Sequence, residues 1–426
     1  MKKKDTLFIY GGFRQYHYLY LIPLLKGYLR NKKIKNIIIE NDFNIKILEN
    51  SYYSSFLKNY NIIILHKLFK KKFILSFLEN FGLILKIFNL IFFKNIQKKM
   101  RIRKKDFFEN QLEHAVWDTG LRWNKAKIRD IELISKIKSF FLILKSVLNS
   151  KIVLKNFKID TLFLAHRVYG ERVALALFRK EKIKIFLNKN FKIDKLKLNY
   201  DIEVGKVNKE TFSKTLKFIN KFEINNYWKE YKKGKSNYLE ARIAGNSKIN
   251  KKNLNFKNVM FLHIFRDSPF DTIDDKRIFF DYYDWINSSL QIIKNSKENW
   301  LLREHPSAKL WGENSRDIVQ SILNQNFEGQ FPKNIKYSSE KFSNIEQFKN
   351  AKRIITFSGN SHLESGCFGI KPIIISNCTI SGFNKKNYLK PKNIQEYERL
   401  LLKNSNDKIF KLNQDQINKY RRIIFI

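Results

Sequence analysis

The stretch that most constrains this chain is NWLLREHP, Asn299 to Pro306, taken with its sequel at Arg353 to Ser376, RIITFSGNSHLESGCFGIKPIIIS. Trp300 to Arg303 reads as a buried strand that must stop at Pro306, because proline brings no N–H to a ladder and holds the preceding His305 extended. In the sequel an apolar strand, Ile354 to Phe357, runs into the small polar turn Ser358-Gly359-Asn360-Ser361, then a short helical stretch containing Glu364, then a second strand, Pro372 to Ile375. This is a βαβ unit whose turn offers backbone N–H groups and hydroxyls at a strand end, the way α/β proteins hold phosphate.

The rest of the chain alternates in the same manner. Thr6 to Tyr10 is predicted as a strand, Gly11-Gly12 as a tight turn, Tyr16 to Arg30 as a helix and Ile34 to Glu40 as a second strand. The glycine pair lacks the rest of a dinucleotide fingerprint, so NAD is not expected. Residues 66 to 150 read as mostly helical, including QLEHAVWDTGLRW at Gln111 to Trp123, and Asp160 to Ala165 as a strand ending in His166-Arg167-Val168-Tyr169-Gly170. A helix to about Lys180 and a strand at Ile183 to Leu187 follow. Residues 190 to 257 have the composition of a connection, with a helix near Lys206 to Lys232. Val259 to Phe265 opens the second half as a strand ending in His263 and the loop Arg266-Asp267-Ser268-Pro269, and Asp281 to Lys294 is a helix carrying Trp285. Beyond Ser376 only short elements and a terminal helix around Gln414 to Ile423 are expected. The fold class is α/β, with an N-terminal domain over 1–250, a C-terminal domain over 251–410 and a tail, 411–426, packing back on the first domain.

At 426 residues, 43% of them hydrophobic, the chain can fill two cores. Its formal net charge of +44 would suit nucleic acid, an anionic membrane or an acidic substrate. The lysines are spread throughout and travel with Asn and Ile, without the basic stripe and interleaved aromatics of a nucleic-acid footprint, so nucleic acid is not an expected partner. Phe73 to Phe93 is the most hydrophobic window, but Glu79, Asn80, Lys86 and Asn89 interrupt it. With Lys70, Lys71 and Lys72 before it and Lys94, Lys98, Lys99, Arg101 and Arg103 after it, the window reads either as a membrane-surface helix or as a core helix with solvated ends. Two cysteines, Cys367 and Cys378, make neither a disulfide framework nor a zinc site, and with a strand at the start the expected location is the cytoplasm, possibly at the inner face of the membrane.

Five of the seven histidines, His17, His166, His263, His305 and His362, fall in or just after the loop that follows a predicted strand. In open parallel sheets those strand ends line the crevice where ligands bind. No HExxH, no Cys/His pair spacing and no Asp-x-Asp points to a metal, and neither a GxSxG elbow nor a Walker loop is present.

At these residues the chain resembles a family. VMFLHIFRDS at Val259 to Ser268, FDYYDW at Phe280 to Trp285, WLLREHP, ITFSGNSHLES and KPIII are similar to bacterial capsule and lipopolysaccharide surface-carbohydrate biosynthesis proteins, in particular to GT-B transferases that use CMP-β-Kdo. The resemblance covers about residues 258 to 376. It implies two Rossmann-like domains facing across a central cleft, with the nucleotide sugar in the C-terminal one: His305 and Ser358 to Ser361 at the donor phosphate, Glu364 at the ribose. Placement at the same strand ends adds His263, Arg303, Lys309 and His362 to the donor-binding candidates, with Gly359 and Asn360 in the turn. A base or nucleophile must also act on the acceptor. Asp267 is the first candidate, followed by Glu113, Asp118 and His17, while Arg14, His166, Arg167 and Asp118 are candidates for holding a polysaccharide or glycolipid acceptor. No cofactor beyond the CMP-sugar donor substrate is expected. CDP-glycerol polyol-phosphate transferases share the layout, but Phe357-Ser-Gly-Asn-Ser361 stands where their Asp-Tyr-Ser-Ser would be; a non-catalytic capsule-assembly or export factor that binds anionic glycan and a basic nucleic-acid-binding protein are the alternatives of a different class.

Overall fold

In a computed structural model of the chain, the described residues are 5–10, 29, 34–39, 59–93, 107–123, 131–164, 169–189, 192–195, 221–232, 256–267, 278–309, 312–339, 344–359, 361–376 and 385–425. The chain divides into two compact units, Met1–Ile202 and Glu203–Ile426.

The first unit is built on strands β1 (Thr6–Tyr10), β2 (Asn36–Ile39), β3 (Asn61–Ile64), β4 (Ile159–Leu164), β5 (Lys184–Lys189) and β6 (Lys192–Lys195), in the spatial order β3-β2-β1-β4-β5-β6. The first five are parallel and β6 turns back antiparallel on β5. Strands such as TLFIY, buried at every position, are uninterrupted apolar runs because helices cover both faces of a parallel sheet. Polar residues in register fix the strand starts: Asn61 Nδ2 donates to Asn36 Oδ1 at 2.9 Å, and Asn36 Nδ2 to Thr6 Oγ1 at 3.2 Å. The helices described are α1 (Leu65–Glu79), α2 (Phe81–Phe92), α3 (Phe107–Trp123), α4 (Leu133–Asn156) and α5 (Tyr169–Lys180). The predicted helix at 16–30 lies outside the described residues apart from Leu29.

The second unit holds β7 (Asn258–Phe261), β8 (Trp300–Arg303), β9 (Ile335–Ser338), β10 (Arg353–Thr356) and β11 (Ile373–Ile374), all parallel in the order β11-β10-β7-β8-β9. Its helices are α6 (Lys221–Lys232), α7 (Tyr282–Ile293), α8 (Ser315–Asn326), α9 (Asn344–Asn350), α10 (Ser361–Cys367), α11 (Ile394–Leu402) and α12 (Gln414–Phe425). Asp281 caps α7 by accepting from the Asp284 N–H at 2.8 Å.

In each sheet the third, second, first, fourth and fifth strands lie in that order. Both units are Rossmann-like.

Several expectations shift. The division falls at Ile202/Glu203 rather than near residue 250, because α6 packs within the second unit. Trp228 and Tyr231 of α6 share a buried cluster with Cys367, Ile374, Leu412 and Tyr420. The terminal helix α12 packs on α10 and α6, in its own unit, where the sequence suggested the first domain. Strand β7 ends at Phe261 rather than Phe265: the Leu262 N–H still donates to the Arg303 carbonyl at 2.9 Å, and then a turn closed by the Asp267 N–H on the Ile264 carbonyl buries Ile264 and Phe265 without a ladder. Helix α11, within a stretch expected to hold only short elements, is capped by Asn393, which accepts from the Glu396 N–H at 2.8 Å. Arg353, fully buried at the start of β10, donates to the Leu400, Leu401 and Lys403 carbonyls at the end of α11 and pairs with Glu298 at 2.5 Å.

Candidate functional site

Between β7 and β10 the strand order of the second unit reverses. At such a switch point the loops leaving the two strands part and open a crevice. Three strand ends deliver side chains there: β7 through His263, β8 through His305 and β10 through the Ser358-Gly359 turn.

His305 is half-buried where the Glu304 N–H makes the last strand-like bond, to the Ser338 carbonyl at 3.0 Å. Pro306 then turns the chain, and the Ser307 N–H donates to His305 Nδ1 at 3.1 Å. The neutral ring therefore carries its proton on Nε2, as a hydrogen-bond donor. Burial, and secondarily the neighbouring His263, lower the His305 pKa from 6.5 to about 3. The two rings lie 5.9 Å apart between centroids.

His263 is oriented from two sides. Its ring stacks on Tyr282 of α7, 4.5 Å between centroids at 12°, and its Nδ1–H donates to the Ile264 carbonyl at 3.3 Å, which leaves Nε2 turned away from that bond. Tyr282 also meets Phe357, the first residue past β10, edge to face at 4.7 Å. One aromatic ring thus ties the β7 and β10 ends together.

In the turn, the Gly359 N–H donates to Thr356 Oγ1 at 3.2 Å, and Ser358, Gly359 and Ser361 are half-buried. His362 departs from expectation. It has no exposed surface, and its Nδ1–H donates to the Gly359 carbonyl, so it braces the turn from beneath and presents nothing to a ligand. Burial lowers its pKa to about 4, the hydrogen bond to Gly359 opposing. Glu364 is also buried: one carboxylate oxygen accepts from Tyr231 of α6 at 2.5 Å. Burial drives the Tyr231 phenol well above its ordinary pKa, and the Glu364 charge adds to this. Arg303, 4% exposed, is lowered to about 10 by burial, with Glu364 acting the other way. Arg303 and Glu364 are thus both buried and feel each other's charge.

Asp267 is half-buried in the β7 loop, and Lys309 is exposed after β8. Sequence reasoning missed what holds that loop. The Arg266 N–H donates to Glu313 Oε2 at 2.9 Å and Arg266 Nη1 to the Gly312 carbonyl at 2.7 Å, while Glu313 is buried and accepts from Ser315 at 2.6 Å. No local pattern links residues this far apart.

The first-unit candidates fare differently. Asp118 and Glu113 of α3 are both buried, and Asp118 pairs at 3.8 Å with the equally buried Arg172 of α5, which also lies 3.1 Å from His114 Nδ1. A carboxylate so enclosed holds α3 to α5 and cannot take an acceptor. His17, Arg14, His166, Arg167 and Asn360 lie outside the described residues, as does the Gly11-Gly12 turn. Among the described residues no cluster of three or more His, Cys, Asp or Glu could hold a metal ion.

No family model and no curated protein matches the chain. Among solved structures it is similar to the UDP-GlcNAc 2-epimerase of Methanocaldococcus jannaschii (12% identity, 99% of each chain covered, TM-score 0.30) and to a glycosyltransferase from Rickettsia africae ESF-5 (11%, 100% of this chain and 94% of that one, 0.31). It is also similar to Anabaena Alr3699/HepE, solved with UDP and glucose (10%, 99% and 93%, 0.30). Likeness of this degree carries no argument. The Rossmann reading of each unit rests on strand order.

Proposed function

We propose that the protein is a GT-B glycosyltransferase whose second unit binds a nucleotide-sugar donor, in the finer reading a CMP-activated Kdo-like sugar, for transfer to a surface polysaccharide or lipid-linked glycan. The observation that carries the proposal is the convergence at one switch point of two oriented histidines and a Ser-Gly-x-Ser turn, on the residues that resemble the CMP-Kdo transferases.

In this reading the His305 Nε2–H, the turn hydroxyls and the turn N–H groups face the donor phosphates. As the bond from the anomeric carbon to the phosphate oxygen breaks, the electron pair leaves with the nucleotide, and the growing charge on that oxygen is met by fixed donors in a partly dehydrated site. Asp267 takes the proton from the acceptor hydroxyl as its oxygen bonds to the anomeric carbon. His263 packs beside His305 and limits water. His362, Arg303 and Glu364 act as positioning residues. Helix α10 has only seven residues, so the turn's own groups carry more of the phosphate recognition than a helix dipole does.

A thermal-shift panel of CMP, CDP, UDP, GDP and ADP tests the reading. CMP is expected to stabilise the chain most, and His305→Ala to weaken its binding about tenfold or more in calorimetry, the effect of losing a hydrogen bond to a charged group. Unchanged CMP affinity in that variant overturns the donor assignment, and a response to CDP-glycerol but not CMP transfers it to the polyol-phosphate enzymes. Turnover is expected to survive chelation, because the protein's own donors meet the leaving charge; loss of turnover with EDTA overturns that part.

A further inference from the structure

The helical layer formed by α1, α2 and α4 in the first unit has apolar residues on the side that faces away from its core. The inward side of α2, with Ile84, Ile87, Leu90 and Ile91, is buried, and Ile84 packs with Leu144 and Leu148 of α4. Yet its outward residues Phe81, Leu85 and Phe88 are exposed. Helix α1 repeats this with exposed Phe73, Ile74, Leu75 and Leu78, and α4 with exposed Leu133, Ile134, Ile137 and Phe141. Ile74 is 74% exposed and Phe93 76%. Helix α2 carries apolar residues on both its inward and its outward side, where an enclosed helix would be expected, and exposed apolar side chains gathered on three helices that pack together mark an interaction surface.

Charge selects the partner. Beside the patch runs a groove of about 650 Å³, lined by Leu75 of α1, by Lys72, Lys151, Lys155 and Lys158, and by the acids Glu79 and Glu181. Glu79 is engaged by Lys155, and Lys72 reaches Asn156, so cations outnumber acids at its wall. Lys70, Lys71 and Lys86 lie on the same helices, in a chain of net charge +44. Apolar side chains flanked by lysines match the boundary between acyl chains and anionic headgroups, whereas a second copy of so cationic a chain would be repelled. Among the described residues no single helix is long and apolar enough to cross a membrane, and α1 and α2, which together have the length and composition, are bent by 81° and packed on α4. That geometry suits lying on a bilayer.

We propose that the α1–α2–α4 face docks on an anionic phospholipid bilayer, with the aromatic and aliphatic side chains at the acyl boundary and the lysine groove on headgroup phosphates. The proposal does not rest on the nucleotide-sugar reading, since all its residues lie in the first unit. Flotation of the full chain with vesicles of phosphatidylcholine alone, and of phosphatidylcholine mixed with phosphatidylglycerol, tests it. The mixed vesicles are expected to bind at least tenfold better, less so as salt is raised. The pair Ile74→Asp and Phe93→Asp, at positions exposed enough to keep the fold, is expected to lower binding about tenfold or more with an unchanged melting curve, and Lys151→Glu with Lys158→Glu to do the same on mixed vesicles only. Absent binding, equal binding to both vesicle types, or binding indifferent to the apolar variants overturns the proposal. So does sedimentation showing a dimer that the same variants dissociate while vesicles are ignored, which would make a second copy the occupant.

Discussion

His362 has its Nδ1–H committed to the Gly359 carbonyl and no surface in water, so burial governs its titration directly. Its pKa is 6.5 when unperturbed and about 4 in the fold. Above 6.5 the ring is neutral in both states and adds no pH dependence. Between 6.5 and about 4 the unfolded chain binds a proton that the folded chain refuses, so stability falls with falling pH by about 1.4 kcal/mol per unit, roughly 3 kcal/mol in all. His305, lowered in the same direction, adds to the same window. Urea midpoints measured from pH 8 to pH 4 are expected to fall below pH 6.5, and His362→Asn to flatten that slope; an unaltered slope would refute the buried neutral ring. Asp267 gives a kinetic counterpart. Asp267→Asn is expected to lower kcat about 100-fold or more with little change in nucleotide affinity, the signature of a lost base, and a fall confined to affinity would reassign the residue to binding. His305 was legible because Pro306 announces a strand end. His362, three residues beyond Gly359, looks like a ligand in the sequence because nothing local tells which side of so short a helix turns inward.

At the scale of elements, the β10–turn–α10 segment is held from behind by α12. Gly366 of α10 lies against Tyr420 of α12, whose ring is buried and whose hydroxyl donates to the Asn387 carbonyl at 2.7 Å. A Cβ on residue 366 would come within 2.3 Å of that ring. The ring is tethered at its far end, so Gly366→Ala is expected to cost about 1–3 kcal/mol, seen as a lower melting temperature, and to weaken nucleotide binding because the turn rides on α10. A variant as stable as the parent would mean that α12 yields freely. Most strands of the two sheets were readable because buried parallel strands are unbroken apolar runs ended by turn residues, but β9, IKYS, buried only at its two ends, was not expected, nor were the helices α8 and α9 on either side of it. Two further elements carry weak signals. β6, KIDK, alternates over only four residues at a sheet edge, and α11 begins at an asparagine cap among residues whose composition reads as loop.

At the scale of the whole chain, two Rossmann-like units follow one another, and the boundary between them decides what the proposed donor site contains. A boundary near residue 250 was natural from composition, since the lysine- and asparagine-rich tract resembles a linker and the helix before it shows little sign of what it packs against. The structure assigns α6 to the second unit through two large side chains, Trp228 and Tyr231, stacked 5.3 Å apart within the cluster that includes Tyr420, with the Arg421 guanidinium 5.2 Å over the Trp228 ring. Tyr231 further supplies the hydroxyl bound by Glu364 of α10, the helix that follows the turn. A fragment of residues 203–426 keeps all of this. One of residues 251–426 loses two buried aromatics, each worth about 3–5 kcal/mol when removed from a core, and leaves the Glu364 carboxylate without its Tyr231 partner. Because whole-domain stability is only about 5–15 kcal/mol, the longer fragment is expected to melt cooperatively and bind the nucleotide chosen by the full chain, while the shorter one is expected to be protease-sensitive and to bind weakly or not at all. Circular-dichroism melting and limited proteolysis of the two fragments provide the check. If residues 251–426 melt at the same temperature as residues 203–426, α6 is dispensable, and the support assigned here to Glu364 must come from elsewhere in the unit.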